Sequence, residues 1–251
     1  VEVDERRGSM MKLVPKYFPY DYPRLTQIEV FSALRRWSGK KIYIDPWLEN
    51  PQSPVKWQEI KDAEIVLVTH DHFDHTGQAI EIVKQSNGIL VANVETARKF
   101  AEAGLSEKNI ANNGYGLNIG GSFNINNITI TMVQAYHSSS SGVATGYIIS
   151  FQDINIYHAG DTGIFSEMQL ISEIYPLTVA LIPIGGVFTM DAYQAAQALK
   201  LLKPKLAIPM HYGTFPIIAP DANSFVEIAQ KIAPEVKIVV LKPGEVYNIE
   251  K

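Results

Sequence analysis

The chain contains no cysteine, which excludes a disulfide scaffold, a thiolate metal site and a Cys nucleophile together. Histidine is scarce, with six residues in 251. Basic charge is in deficit, 22 Lys and Arg against 26 Asp and Glu, for a net charge of −4 and a pI near 5.9. No positive field therefore invites a nucleic-acid polymer or an anionic membrane. No apolar run reaches the roughly 18 residues of a membrane span. Residues 1–7 are mostly charged with no apolar segment behind them, so a secretory signal is not expected. Repeats, low-complexity blocks and linker-like stretches are missing too. The expectation left standing is a cytoplasmic globular protein. Any metal site in it must be built from imidazole and carboxylate.

Hydrophobic residues make up 46% and charged residues 19%, enough for a real core and unlike a disordered tail or a coiled coil. Gly8-Ser9-Met10 reads as a cloning scar ahead of a start codon, with Met11 as another candidate start. Residues 1–10 are accordingly set apart as a tag or disordered extension, and 11–251 are expected to form a single domain.

Gln27 to Trp37 and Lys40 to Asp45 read as a strand pair around Ser38-Gly39. Glu64 to Thr69 is a continuous apolar run of buried-strand type, followed by a helical pattern over Gly77–Gln85, a strand over Gly88–Ala92 and a helix over Glu95–Ala103. Alternation then takes over, with a hairpin around Asn126-Asn127 and a second joining Ala144–Phe151 to Ile154–His158 through Gln152-Asp153. Helix and strand alternate again through Ser166–Ile174, Val179–Pro183, Asp191–Leu202, Leu206–Met210, Asp221–Ile232 and Val236–Leu241. Hairpins interrupting parallel units favour two mixed sheets between outer helices, an α/β (α+β) αββα arrangement, over a doubly wound sheet.

Three of the six histidines fall in His70-Asp71-His72-Phe73-Asp74-His75, immediately after the buried strand. From this composition, His-x-His-x-Asp-His arises by chance on the order of once in ten thousand such chains. In an extended segment residues two apart point the same way, so His70 and His72 can converge on one ion. The chain then turns, and Asp74 with His75 can face a second. Imidazole with carboxylate suits Zn, Mn, Fe, Co or Ni. Further ligands should come from later strand ends, where His137, Asp161 and His211 each stand at a strand-to-loop junction.

Asp45 in Ile44-Asp45-Pro46, the 70–75 run, His137, Asp161 and His211 together resemble the metallo-β-lactamase superfamily. Tyr157-His158-Ala159-Gly160-Asp161-Thr162-Gly163, Pro183-Ile184-Gly185-Gly186 and Met210-His211-Tyr212-Gly213-Thr214-Phe215-Pro216 narrow it further. They resemble a family of metal-dependent hydrolases neighbouring the L-ascorbate-6-phosphate lactonases, over roughly residues 38 to 245. The resemblance implies a four-layer αββα sandwich with two divalent ions at one edge, Zn or Mn favoured. His70, His72 and His137 would hold the first, Asp74, His75 and His211 the second, and Asp161 would bridge them. Two departures stand out. Thr26–Trp37 carries neither the Gly nor the His that relatives place in their opening strand, and Met190-Asp191-Ala192-Tyr193 replaces a more usual Gly-Pro-Glu-Asp.

The expected mechanism is attack by a metal-bridged hydroxide on a small lactone or phosphodiester, with Asp74 orienting it and shuttling its proton. Asp45 and Thr69 can stand behind the ligands and set His tautomers, although Asp45 also reads as a turn former before Pro46. His158 is either a buried, hydrogen-bonded histidine or a group near the substrate. Ser138, Ser139 and the rest of the Ser138–Ser141 run read either as substrate donors or as a flexible loop. Tyr212 is a further candidate substrate contact. Phe188 and Phe215 read as cleft lining or core, and Trp37, Trp47 and Trp57 as core or interface. The alternatives to a hydrolase are a non-enzymatic metal-binding protein and a diiron redox enzyme. His72 and the short chain speak against the latter, and a nuclease with an inserted domain does not fit in 251 residues. A homo-oligomer is implied by the resemblance alone.

Overall fold

Buried and mostly apolar side chains run through β3 (Lys41–Ile44), β4 (Ala63–Leu67) and β5 (Ile89–Val91), so each strand is covered on both faces. The architecture comes from a computed structural model that describes residues 11–13, 27–30, 41–49, 55–213, 215–242, 245 and 247–249. Ile42, Ile44, Ile65, Leu67 and Val91 enter the larger of two cores, while Tyr43, Val66 and Leu90 enter the smaller. After the single helical turn α1 (Phe73–Thr76), helices α2 (Ala79–Ser86) and α3 (Val94–Glu102) close the smaller core with Ile82, Val83, Ala97 and Phe100.

The larger core lies between this sheet and a second one. That second sheet comprises β6 (Ser122–Ile125), β7 (Ile128–Gln134), β8 (Thr145–Phe151), β9 (Ile154–His158), β10 (Val179–Pro183), β11 (Leu206–Met210) and β12 (Lys237–Ile238). Its spatial order is β12-β11-β10-β9-β8-β7-β6. Helices α4 (Met168–Ile174), α5 (Ala192–Leu202) and α6 (Asn223–Ile232) contribute Met168, Ile171, Ala195, Leu199, Phe225 and Ala229 to the same core. The first sheet is completed by β1 (Met11–Leu13), β2 (Gln27–Val30) and β13 (Tyr247–Ile249), in the order β13-β1-β2-β3-β4-β5. The result is the expected αββα sandwich of mixed sheets.

Both predicted hairpins form. Asn126 and Asn127 both adopt positive φ, 46° and 65°, as a two-residue primed turn requires, and Ile125 pairs with Ile128. Gln152, at φ 51°, turns β8 into β9. From β9 onward the neighbours β9, β10, β11 and β12 run parallel. Antiparallel pairing of β7 with β8 and β8 with β9 makes β7 point the same way as β9. The N–H and hydroxyl of Thr145 both donate to the Thr69 carbonyl, at 3.0 and 2.9 Å, joining the end of β4 to the start of β8. The carboxyl ends of β4, β7, β9 and β11 therefore gather at one edge.

Some element boundaries differ from expectation. The final strand, expected over Val236–Leu241, is only the two-residue β12. It pairs with Leu206 and Ala207, and beyond them Pro209 has no N–H to offer a longer partner. The helix expected from Ser166 begins at Met168, and the one expected from Asp221 begins at Asn223. The expected opening strand is described only as Gln27–Val30; Trp37, the Ser38-Gly39 turn and the candidate tag at 1–10 lie outside the described residues. The short pair β1 and β13 carries no periodic signal and was not anticipated by the pattern.

Candidate metal centre

At that edge Asp45 ties its own turn to the segment after β4, from a buried position and a left-handed φ of 49°. One carboxylate oxygen accepts the Thr69 N–H at 2.8 Å, and the other accepts the Thr69 hydroxyl at 2.7 Å. That second oxygen also lies 2.7 Å from His75 Nδ1. A carboxylate can only accept here, so Nδ1 of His75 carries the proton and Nε2 presents its lone pair. The Thr69 hydroxyl, already donating to Asp45, offers a lone pair to His70 Nδ1 at 3.0 Å. His70 Nε2 is thereby left facing inward. Gln78 holds the same turn, accepting the Leu48 and Glu49 N–H groups at 2.6 and 2.9 Å.

The inward atoms converge. His70 Nε2 stands 2.9 Å from His72 Nδ1, and His70, His72 and His137 each offer a ligand atom within 4.8 Å of the others. His70, His75 and Asp161 form a second such triad, so His70 belongs to both. One oxygen of Asp161 is the hub, 2.9 Å from His211 Nε2, 3.2 Å from His75 Nε2 and 3.6 Å from His137 Nε2. Asp74, also buried, lies 3.8 Å from His75 Nε2. All seven candidate ligands are thus at this edge, and the donor chemistry, imidazole and carboxylate without thiolate, fits divalent transition metals.

Electrostatics favour the ligand forms. Burial first, then the neighbouring His75, pushes the His70 imidazole far below its usual range, and burial also lowers that of His137. Both rings are neutral near pH 7, as coordination requires. Burial alone would raise the Asp161 carboxyl. The facing His211 and His75 imidazoles outweigh it and hold the group well below the usual carboxylate range.

Sequence reasoning gave Asp71 no role, yet it organises the loop behind His137. Its carboxylate accepts from Ser139 Oγ at 2.9 Å, the Ser140 N–H at 2.6 Å, Ser141 Oγ at 2.8 Å and Lys99 Nζ at 2.7 Å. Burial opposes its ionisation, but these donors win and keep the carboxyl well below its ordinary value. Ser139 and Ser141 accordingly turn their hydroxyls toward Asp71, while Ser138 is exposed. The available signal was an acid inside the His run together with a polar run following another site histidine.

His158 is buried with Nδ1 accepting the Gly160 N–H at 3.2 Å, in line with its reading as a hydrogen-bonded interior histidine. Tyr212 is half-buried; burial and the Asp221 charge push its hydroxyl up to about 12, so it stays a protonated donor. Phe188 is exposed and takes no part in the core. Trp47 packs its ring edge-on against Phe73 at 5.1 Å, and Trp57 donates to Glu49 at 2.9 Å. His211 itself holds a left-handed φ of 57°, and a Cβ on Gly185 would stand 2.2 Å from its carbonyl oxygen. Glycine is required there by that close approach.

A family model described as the beta-lactamase superfamily domain matches residues 40–212. The chain belongs to the beta-lactamase superfamily. The matched segment runs past Asp45 at one end and His211 at the other, so all seven candidate ligands lie within the superfamily domain. Among its relatives is a UPF0173 metal-dependent hydrolase of Caldivirga maquilingensis, 45% identical over 212 residues, covering 84% of this chain and 91% of the relative. One from Nitratidesulfovibrio vulgaris is 46% identical over 215 residues, covering 85% and 90%. The solved structure of Igni18, a metallo hydrolase from Ignicoccus hospitalis, superposes with a TM-score of 0.82 at 37% identity, over 97% of this chain and all of that one. Within the superfamily, the chain therefore groups with the UPF0173 metal-dependent hydrolases.

Proposed function

We propose that this chain is a dinuclear metal-dependent hydrolase of a small lactone or phosphodiester-type molecule. The observation that carries the proposal is the pair of overlapping donor triads sharing His70, with Asp161 at their centre. His70, His72 and His137 would hold one divalent ion, Asp74, His75 and His211 the other, and Asp161 would serve both. Zn or Mn is the favoured occupant, with Fe, Co and Ni compatible. Bound there, the ions activate water and polarise a scissile carbonyl or phosphoryl oxygen.

The chain's own residues supply the rest. Asp45 and Thr69 lock the tautomers of His75 and His70, so the ligand atoms are presented without rearrangement. Asp74 orients the attacking water and takes up its proton. Tyr212, protonated throughout the neutral range, donates a hydrogen bond to the substrate, and Ser138 is a second exposed donor. The test is His72→Ala, assayed with γ-butyrolactone and bis(p-nitrophenyl) phosphate beside a metal determination. Metal content and turnover should fall together, turnover by at least about a hundredfold. Undiminished turnover in this variant would refute the assignment.

A further inference from the structure

The four loops that carry the candidate ligands, residues 70–78, 135–144, 159–167 and 211–222, and the neighbouring loop 184–191 contain no Lys or Arg. They do contain Glu167, Asp191 and Asp221 in addition to the buried carboxylates of the cluster. Lys99, which reaches the loop after His137 from α3, is tied to Asp71 at 2.7 Å. An anionic substrate would meet no positive side chain on these loops, only the metals.

What the loops do offer is apolar surface. Phe73, Tyr136, Ile164, Val187, Phe188 and Ile217 are all between 37% and 66% exposed, although each is aromatic or branched aliphatic. Phe73 sits between His72 and Asp74, Tyr136 precedes His137, and Ile164 follows Asp161 by three residues. The loops are joined side by side through their backbones. The Tyr136 N–H donates to Thr162 Oγ1 at 3.0 Å, and the Tyr136 carbonyl accepts the Gly163 N–H at 3.1 Å. Met190 N–H donates to the Thr162 carbonyl at 3.0 Å, Gly186 N–H to Met190 at 2.9 Å, and Ala219 N–H to Gly185 at 2.8 Å. This chain of bonds places Tyr136, Ile164, Val187, Phe188 and Ile217 on adjoining loops, and Asp71, accepting from Ser139, Ser140 and Ser141, ties the loop of Phe73 to that of Tyr136. Val187 holds a left-handed φ of 55°, a strained conformation for a β-branched residue.

We infer that this rim receives an uncharged apolar substituent of the substrate, so the physiological substrate is a neutral lactone or ester bearing an alkyl or aryl group. The inference rests on the dinuclear hydrolase reading above and narrows it toward the carbonyl arm. Apolar walls with few polar groups are the usual make-up of a small-molecule site, and a contiguous exposed apolar patch marks a contact surface. The missing cations on these loops choose a neutral occupant over a phosphorylated one.

The test uses the zinc-loaded full chain and calorimetric binding of acetohydroxamic, butanohydroxamic, hexanohydroxamic and octanohydroxamic acids, which anchor on the metal and extend an alkyl chain. Affinity should tighten about two- to fourfold per added CH₂ as the chain crosses the rim. Octanedioic acid monohydroxamate, ending in a carboxylate, should bind at least about tenfold more weakly than octanohydroxamic acid. Phe188→Ser should flatten the gain with length. If acetohydroxamic acid binds only with zinc present but longer chains gain nothing, the rim inference is overturned while the metal centre stands. If acetohydroxamic acid fails to bind the zinc-loaded protein, the metal reading falls and the inference with it. A flat series together with a change of oligomeric state in Phe188→Ser by analytical ultracentrifugation would give the rim to a second copy of the chain instead.

Discussion

Asp71 and Asp45 show how two carboxylates that need not touch a metal can govern a site that does. Asp71 collects four donors from the Ser loop and Lys99, and the loop begins at His137. Asp71→Ala should lower affinity for added zinc by about tenfold or more, read by competition with a chelator. It should also cost about 1–3 kcal/mol in urea unfolding, since two half-buried hydroxyls and an N–H lose their acceptor. Lys99→Met removes only the half-exposed partner and should change stability by less than about 1 kcal/mol. Equal effects from the two variants would show that the ion pair, and not the loop, is what Asp71 serves. Asp45→Asn keeps the shape but can present an amide N–H where His75 needs an acceptor. Zinc affinity should drop about 10- to 100-fold with the fold intact by circular dichroism.

At the scale of elements, the site depends on how closely one strand end approaches the next. Gly185 follows β10, and a side chain there would collide with the backbone oxygen of His211 just past β11. Gly185→Ala should destabilise the protein by about 1–3 kcal/mol. It should also reduce bound metal, because the strain falls on His211; a variant with full metal and an unchanged melting midpoint would contradict this. Much of this scale was legible in the sequence, because period-two alternation, Asn-Asn at a hairpin and unbroken apolar runs are local signals. The 70–75 run was legible for the same reason: its geometry is contained within six residues. Asp71, Gln78 and the short pair β1–β13 were not, since their partners lie 28 to more than 200 positions away and leave no periodic mark. The length of β12 was set by one proline in a neighbouring strand, which a reading of its own residues passes over.

For the whole molecule, two sheets with unlike outer cover bring the ends of β4, β7, β9 and β11 to a common edge. None of the helices among the described residues is long and apolar enough to cross a membrane. The fold class followed from the order of hairpins and parallel units, and the superfamily match and the Igni18 superposition agree with it. What one sequence leaves open is the loop surface, where specificity is set by residues that obey no period. The structure supplies that surface as an apolar rim free of Lys and Arg on the ligand-bearing loops.

The most direct test of the account is elemental analysis of the chain purified without chelators and then reconstituted with zinc or manganese. The account predicts about two transition-metal ions per chain, falling to about one in His72→Ala. One ion or none in the reconstituted wild-type chain would contradict it.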